Sequence, residues 1–201
     1  TLLGLAGSLF LAISGSTILN MWYDRDIDSR MNRTSRRPIP SGLVSPQAAL
    51  RLGLAVSALG VVWALLLLPL YGAVVFAGLF FDVVVYTIWL KRRTPWSIIW
   101  GGVSGGMPVL AGRALGLGSI DGIGILMALG VLLWIPTHIM TFSMRFDRDY
   151  RSANVPTFPI VYGVHTTRLV IAASSILAAV AMILAAVGIG LAWGYLRMLA
   201  V

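Results

Sequence analysis

Cysteine is absent from this 201-residue chain, and so is glutamate: all 7 acidic residues are aspartate. Without cysteine there is no disulfide and no thiolate chemistry. Charge is also scarce, at 11% of residues, whereas 58% of the side chains are hydrophobic and the mean hydropathy is +0.90. A soluble core of this size cannot hide so much apolar surface, but repeated membrane spans can. The net charge of +8 is positive, yet a basic excess gathered in the loops of a membrane protein is explained by topology, and no nucleic-acid partner is expected.

Apolar segments run near residues 2–21, 47–68, 71–90, 97–114, 122–143 and 166–187, with a remnant at 190–201. The expected fold is all-α, a multi-spanning transmembrane helix bundle with six spans and part of a seventh. The chain starts and stops inside apolar runs, so residues 1–201 are expected to form a single domain truncated at both ends. The first segment has neither a positive leader nor a small-residue cleavage site and does not read as a signal peptide.

Basic residues collect in every second loop. Arg25, Arg30, Arg33, Arg36 and Arg37 follow the first segment, Lys91, Arg92 and Arg93 the third, and Arg145, Arg148 and Arg151 the fifth. The intervening loops carry no charge or one of each sign. Lys and Arg are retained on the cytoplasmic side, which places these three loops there.

Five of the 7 aspartates lie in the same loops, Asp24, Asp26 and Asp28 in one and Asp147 and Asp149 in another. Asn20, Asp24 and Asp28 recur every four residues, close to one helical turn, so their oxygens share a face and form a ledge for a hard cation. Crowded carboxylates repel unless a cation sits among them, and oxygen-only donors suit Mg²⁺ or Mn²⁺. With Arg and Lys alongside, such a ledge can clamp a diphosphate. Asp82 and Tyr86 share one face of the third span. Asp82 either bonds a neighbouring helix or handles a substrate in a cavity. For His138 a structural and a functional role stand side by side, and Gly101, Gly102, Gly105 and Gly106 either line a cavity or let helices approach closely.

Taken in order, the motifs resemble those of the UbiA-type intramembrane prenyltransferases. They begin with Asn20, Asp24 and Asp28 followed by Arg33, Arg36, Arg37, Pro38 and Pro40. Trp89, Lys91, Arg92, Arg93 and Pro95 come next, then the glycines before Pro108, then Trp134, Pro136 and His138, and last Val155, Pro156, Pro159 and Gly163. The likeness covers residues 14–163 and is nearest to the heme-farnesylating branch of the family.

The resemblance implies nine helices in the complete protein, six to seven of them here, around a lipid-facing cavity with both Asp motifs at its cytoplasmic mouth. It implies Mg²⁺ as cofactor, a prenyl diphosphate donor of farnesyl length or longer, and a hydrophobic acceptor within the bilayer, with heme B favoured. By the same resemblance Asn20, Asp24 and Asp28 hold one metal and Asp147 and Asp149 a second. Arg33, Arg36, Arg37, Lys91 and Arg92 bind diphosphate, Tyr86 lies near the ionising bond, and Asp82 and His138 belong to the acceptor cavity. Asp24, Asp28, Asp147, Tyr86 and His138 are the expected catalytic set. The chain departs from the wider pattern at Met21, Thr137 and Arg151, the last standing where a further carboxylate is common. An acceptor such as an aromatic or quinone precursor or a glycerol-phosphate lipid, a transporter, and a non-catalytic assembly protein are the competing readings. A transporter is disfavoured because the acids crowd one interface and the two halves are only weakly alike.

Overall fold

The computed structural model describes residues 2–190, and the expected remnant of a further span lies outside the described residues except at its first position. Within that range every regular element is a helix. Their order is α1 (Leu2–Tyr23), α2 (Arg25–Asp28), α3 (Pro46–Leu67), α4 (Pro69–Phe80), a π-helical segment (Phe81–Leu90), α5 (Ser97–Leu117), α6 (Gly122–Arg145), α7 (Asp147–Ser152) and α8 (Phe158–Gly188).

Five stretches are long and apolar enough to cross a membrane: Leu2–Tyr23, Pro46–Leu67, Pro69–Leu90, Gly122–Arg145 and Phe158–Gly188. The sixth expected span, α5, is a 21-residue helix whose hydropathy is diluted by its glycines, Ser104, Pro108 and Arg113. At 1.5 Å per residue it is nonetheless about 31 Å long, enough to cross the hydrocarbon layer, and it packs between α4 and α6. Large side chains such as Phe10, Leu66 and Ile176 lie on the outside of the bundle, where lipid rather than water would meet them.

Local chemistry fixes the turns. Leu68 precedes Pro69 and is held extended, with φ −161° and ψ 125°, which ends α3 and lets α4 start with proline in its first turn. Ser45 caps α3, accepting the Ala48 N–H at 3.2 Å. Gly118 closes α5 at φ 72°. Asp121 then caps α6, accepting the Gly124 N–H at 2.8 Å, and takes a two-pronged ion pair from Arg113 at 2.6 and 2.5 Å.

The Arg113 guanidinium is the main reason that the Asp121 carboxyl is held down at about 2. Because its folded value lies below the ordinary one near 4, the stabilisation is present above about pH 4 and fades as pH falls toward 2. Asp121→Ala is expected to lower the melting temperature more than Asp121→Asn, which retains a capping side chain, and the gap between each variant and the parent should close through that acidic window.

Inside the bundle, helix contacts are made by small and hydroxylated residues. Ser8, Ala12 and Gly15 of α1 meet Ser57, Gly60 and Ala64 of α3, the pattern by which helices approach closely in lipid. Polar pairs tie further elements together: Ser8 Oγ with Tyr71 Oη at 2.7 Å and Thr137 Oγ1 with Ser175 Oγ at 2.6 Å. Of the α5 glycines, Gly102 and Gly106 abut the backbone of Leu132 and Ala128 in α6 and serve packing, while Gly101 and Gly105 line cavities. Both alternatives raised by their spacing are therefore realised, at different positions.

Candidate active site at the bundle mouth

The ends of α1, the π-helical segment and α6 meet at one end of the bundle. α1 stops at Tyr23, but its hydrogen-bond ladder continues almost unbroken, with Asp24 N–H bonded to Asn20 O at 2.9 Å and Asp28 N–H to Asp24 O at 2.8 Å. The expected shared face is preserved: Asp24 is fully buried and Asp28 is 4% exposed.

Both of these carboxylates have cationic partners that the sequence marked as diphosphate ligands. Asp24 accepts a short hydrogen bond from Lys91 Nζ and lies 3.4 Å from Arg92 Nη2. Arg92 also forks onto Asp26 at 2.8 and 2.7 Å and donates to the Tyr23 carbonyl at 2.9 Å. Asp28 accepts from Arg37 Nη1 at 2.7 Å. The Arg92 fork holds the Asp26 carboxyl below the usual carboxylate range and raises Arg92 in turn. Burial works against the Lys91 ammonium, but Tyr86 and Asp24 beside it outweigh that effect and hold its pKa above the ordinary lysine value. Lys91 is therefore a fixed cation.

The second Asp region docks on the first across 116 residues of sequence, where Asp149 Oδ2 accepts the Arg33 N–H at 3.1 Å. Ser152 Oγ donates to Arg30 O at 3.1 Å, and Ile27 and Met31 bury against Ala153 and Val155. The short helix α7 separates its two carboxylates. Asp149 is buried against the first motif, whereas Asp147 is partly exposed and paired with Arg151 Nε at 2.7 Å. Two residues along a helix is about 200°, which is why the pair does not converge. Arg33 lays its guanidinium over Phe142 and Phe146, at 4.7 and 5.4 Å from the ring centroids. Arg36 is exposed and makes no ion pair among the described residues.

The π-helical segment is the part that sequence reasoning missed. Its wider turn bonds Lys91 N–H to Tyr86 O at 2.8 Å and brings Thr87 against α1, where Asn20 Nδ2 donates to Thr87 Oγ1 and that hydroxyl donates to Asp82 O, each at 2.8 Å. Such segments are frequent at functional sites. Ser16, which donates a short hydrogen bond to Asp82, was legible in principle. It stands four residues before Asn20 and extends the same ladder.

Cavities run inward from this mouth. A small one of about 40 Å³ is lined by Tyr86, Lys91, Ser97, Ser143, Tyr150 and Thr157, and the Thr157 hydroxyl is buried without a partner. Tyr86 also faces a cavity of about 240 Å³ with Asp82, Ile98, Gly101, Trp134 and His138. His138 stacks on Trp134 with centroids 5.4 Å apart. Asp82 borders a third cavity of about 230 Å³ with Ser16, Val75, Ser104 and Met107.

No three Asp or His side chains among the described residues converge as a ready metal cage. Mg²⁺ needs none, since it takes one or two carboxylates and completes its shell with water and substrate phosphate. Asp28 and Asp149 each engage the protein through Oδ2, and Asn20 through its amide nitrogen. Their remaining oxygens are hard donors of the kind this ion takes.

An apolar helical bundle with paired carboxylates and cations at one mouth has the makings of an intramembrane enzyme for a charged, lipid-borne substrate, and comparison with known proteins supplies its class. The chain belongs to the UbiA prenyltransferase family, whose family model matches residues 1–201, and with its five apolar spans it is an integral, multi-pass membrane protein. It is similar to the protoheme IX farnesyltransferase of Archaeoglobus fulgidus, 47% identical over 189 residues that make up 90% of this chain and 66% of that protein. The protein of the same name from Korarchaeum cryptofilum is 46% identical over 176 residues, 88% of this chain and 60% of the relative. That from Symbiobacterium thermophilum is 42% identical over 168 residues, 84% of this chain and 55% of the relative. The chain thus spans about three-fifths of the length of the curated relatives it matches. No solved structure matches it.

Proposed function

We propose that the chain forms, as one domain, the core of a Mg²⁺-dependent prenyltransferase that moves a farnesyl group from its diphosphate to heme B, giving heme O within the membrane. The observation that carries this reading is the exchange of partners built into the mouth: Asp24 with Lys91 and Arg92, and Asp28 with Arg37. Metal-binding and diphosphate-binding candidates are one another's counter-ions, so a magnesium diphosphate can replace both sets of partners at once without leaving a buried charge unpaired. The names of the relatives support heme B as the acceptor.

Asn20, Asp24, Asp28 and Asp149 would hold the metal, and Asp147, nearer the surface, would join only if it released Arg151. Bound Mg²⁺ supplies charge neutralisation for the departing diphosphate. Lys91, Arg92 and Arg37 bind its oxygens, with Arg33 and Arg36 at the rim. As the allylic carbon–oxygen bond breaks, negative charge grows on the diphosphate, and cations already fixed in place favour that transition state over the bound donor. Tyr86, lining both the small pocket beside Lys91 and the larger cavity, stands where the allylic cation would form. His138 and Asp82 then border the acceptor. The basic residues around this mouth support a cytoplasmic orientation.

The test is diphosphate release from farnesyl diphosphate by the full-length protein in lipid vesicles. Release is expected with Mg²⁺ and to stop when the ion is chelated. Release that ignores chelation would contradict the metal assignment.

A further inference from the structure

Prenyl transfer to a carbon acceptor leaves a proton to be removed. The donor's carbon–oxygen bond breaks with its electron pair going to the diphosphate. A π bond of the acceptor, such as a vinyl group, then gives its pair to the allylic carbon and leaves a positive charge on the acceptor. That charge is discharged by loss of a C–H proton, or by capture of water and loss of an O–H proton. Either way one proton must leave within the bundle.

We propose that Asp82 is the acceptor of that proton, placed between a compartment for the prenyl chain and a compartment for the acceptor. The inference rests on the prenyltransferase reading above. Six of the 7 aspartates lie at the mouth or in loops, and Asp82 stands alone within a span. It precedes Lys91 by 9 residues, which places it at most roughly 13 Å deeper along the helix axis, near the bilayer centre.

Asp82 lines two cavities of similar size. On one side are Val75, Met107 and Ser104, an apolar slot of about 230 Å³ suited to a hydrocarbon chain. On the other are Tyr86, Trp134 and His138, around a space of about 240 Å³. Asp82 has one side-chain hydrogen bond among the described residues, from Ser16 to Oδ2, and Oδ1 is uncommitted. A link between helices needs no ionisable group, since asparagine or serine would accept the same hydroxyl, and a carboxylate at this depth is costly to keep. His138 lines the second of these cavities but not the first, and it is exposed.

The experiment follows two products from farnesyl diphosphate with heme B in vesicles containing the full-length protein: farnesylated heme, and farnesol, which forms when water discharges the cation instead. With Asp82→Asn the ratio of farnesylated heme to farnesol is expected to fall about a hundredfold, the scale of a lost general base. With Asp82→Glu it should fall about tenfold, because the carboxylate is displaced by roughly one bond. If the Asn variant does not accumulate in the membrane, the Glu variant carries the test alone. An unchanged ratio in either, or an equal loss of both products, overturns the inference. Parent protein that makes no farnesylated heme at all overturns the proposed function itself.

Discussion

Asp24→Asn is expected to reduce diphosphate release on the order of a thousandfold, the largest effect among the single changes at the mouth. Two losses combine. The substitution removes an oxygen proposed to bind the metal and the counter-charge of Lys91, an ammonium that Asp24 helps to hold protonated. Breaking a buried pair from one side costs about 3–5 kcal/mol, so Asp24→Asn should also be markedly less stable. The double variant Asp24→Asn with Lys91→Met separates the two. Removing both charges is often nearly neutral for folding, so the double variant should recover most of the melting temperature and none of the turnover. Recovery of both, read from diphosphate release and thermal unfolding of the same preparations, would mean that the pair is structural.

The second large effect is expected far from the chemistry. A Cβ at Gly60 would fall on the backbone of Ala12 and Ser8, and backbone, unlike a side-chain tip, cannot rotate away. Gly60→Val should force α1 and α3 apart and destabilise the protein by about 3 kcal/mol. Because α1 carries Asn20 in its last turn and leads directly into Asp24 and Asp28, a displacement of roughly 1 Å at the interface should also lower turnover about a hundredfold in the molecules that remain folded. Gly116→Ala is the matched control. Nothing lies within 4 Å of a Cβ placed there, so stability and turnover should hold. Unfolding in detergent at increasing denaturant reads the first quantity, and diphosphate release per folded molecule the second.

The features legible in the sequence are those set by spacing and charge. The ladder of Asn20, Asp24 and Asp28 reappears as one face, buried at the two aspartates, and Lys91, Arg92 and Arg37 emerge as partners of those carboxylates. The alternation of basic loops corresponds to three helix ends gathered at one mouth. The features that were not legible depend on contacts between elements. Residues 81–90 are mostly apolar, as a lipid-embedded segment should be, and their few polar positions, Asp82, Tyr86 and Thr87, are too sparse to set a period that distinguishes a π-helix from an α-helix. The run of β-branched residues Val83, Val84, Val85, Thr87 and Ile88 hints at a weak α-helix, but only the Asn20–Thr87–Asp82 hydrogen bonds reveal what the wider turn accomplishes. In the same way, Asp147 and Asp149 look equivalent in sequence. The short helix α7 makes one of them a buried partner of the Arg33 backbone and leaves the other on the surface with Arg151. The last long stretch, α8, begins at Phe158, about two turns before the start that hydropathy alone suggested; Phe158 and Tyr162 pack their rings against Trp96 there, and the helix kinks at Gly163, φ 79°.

The central claim is that this mouth and its cavities transfer a farnesyl group to heme B. Its most direct test is mass detection of the product formed by full-length protein in lipid with Mg²⁺, farnesyl diphosphate and heme B, beside parallel reactions offering an aromatic ring or a glycerol-phosphate lipid. A heme product carrying one farnesyl group, absent when Asp24 is replaced by Asn, is the predicted result. Prenylation of the aromatic or lipid acceptor with heme B left unmodified would contradict it.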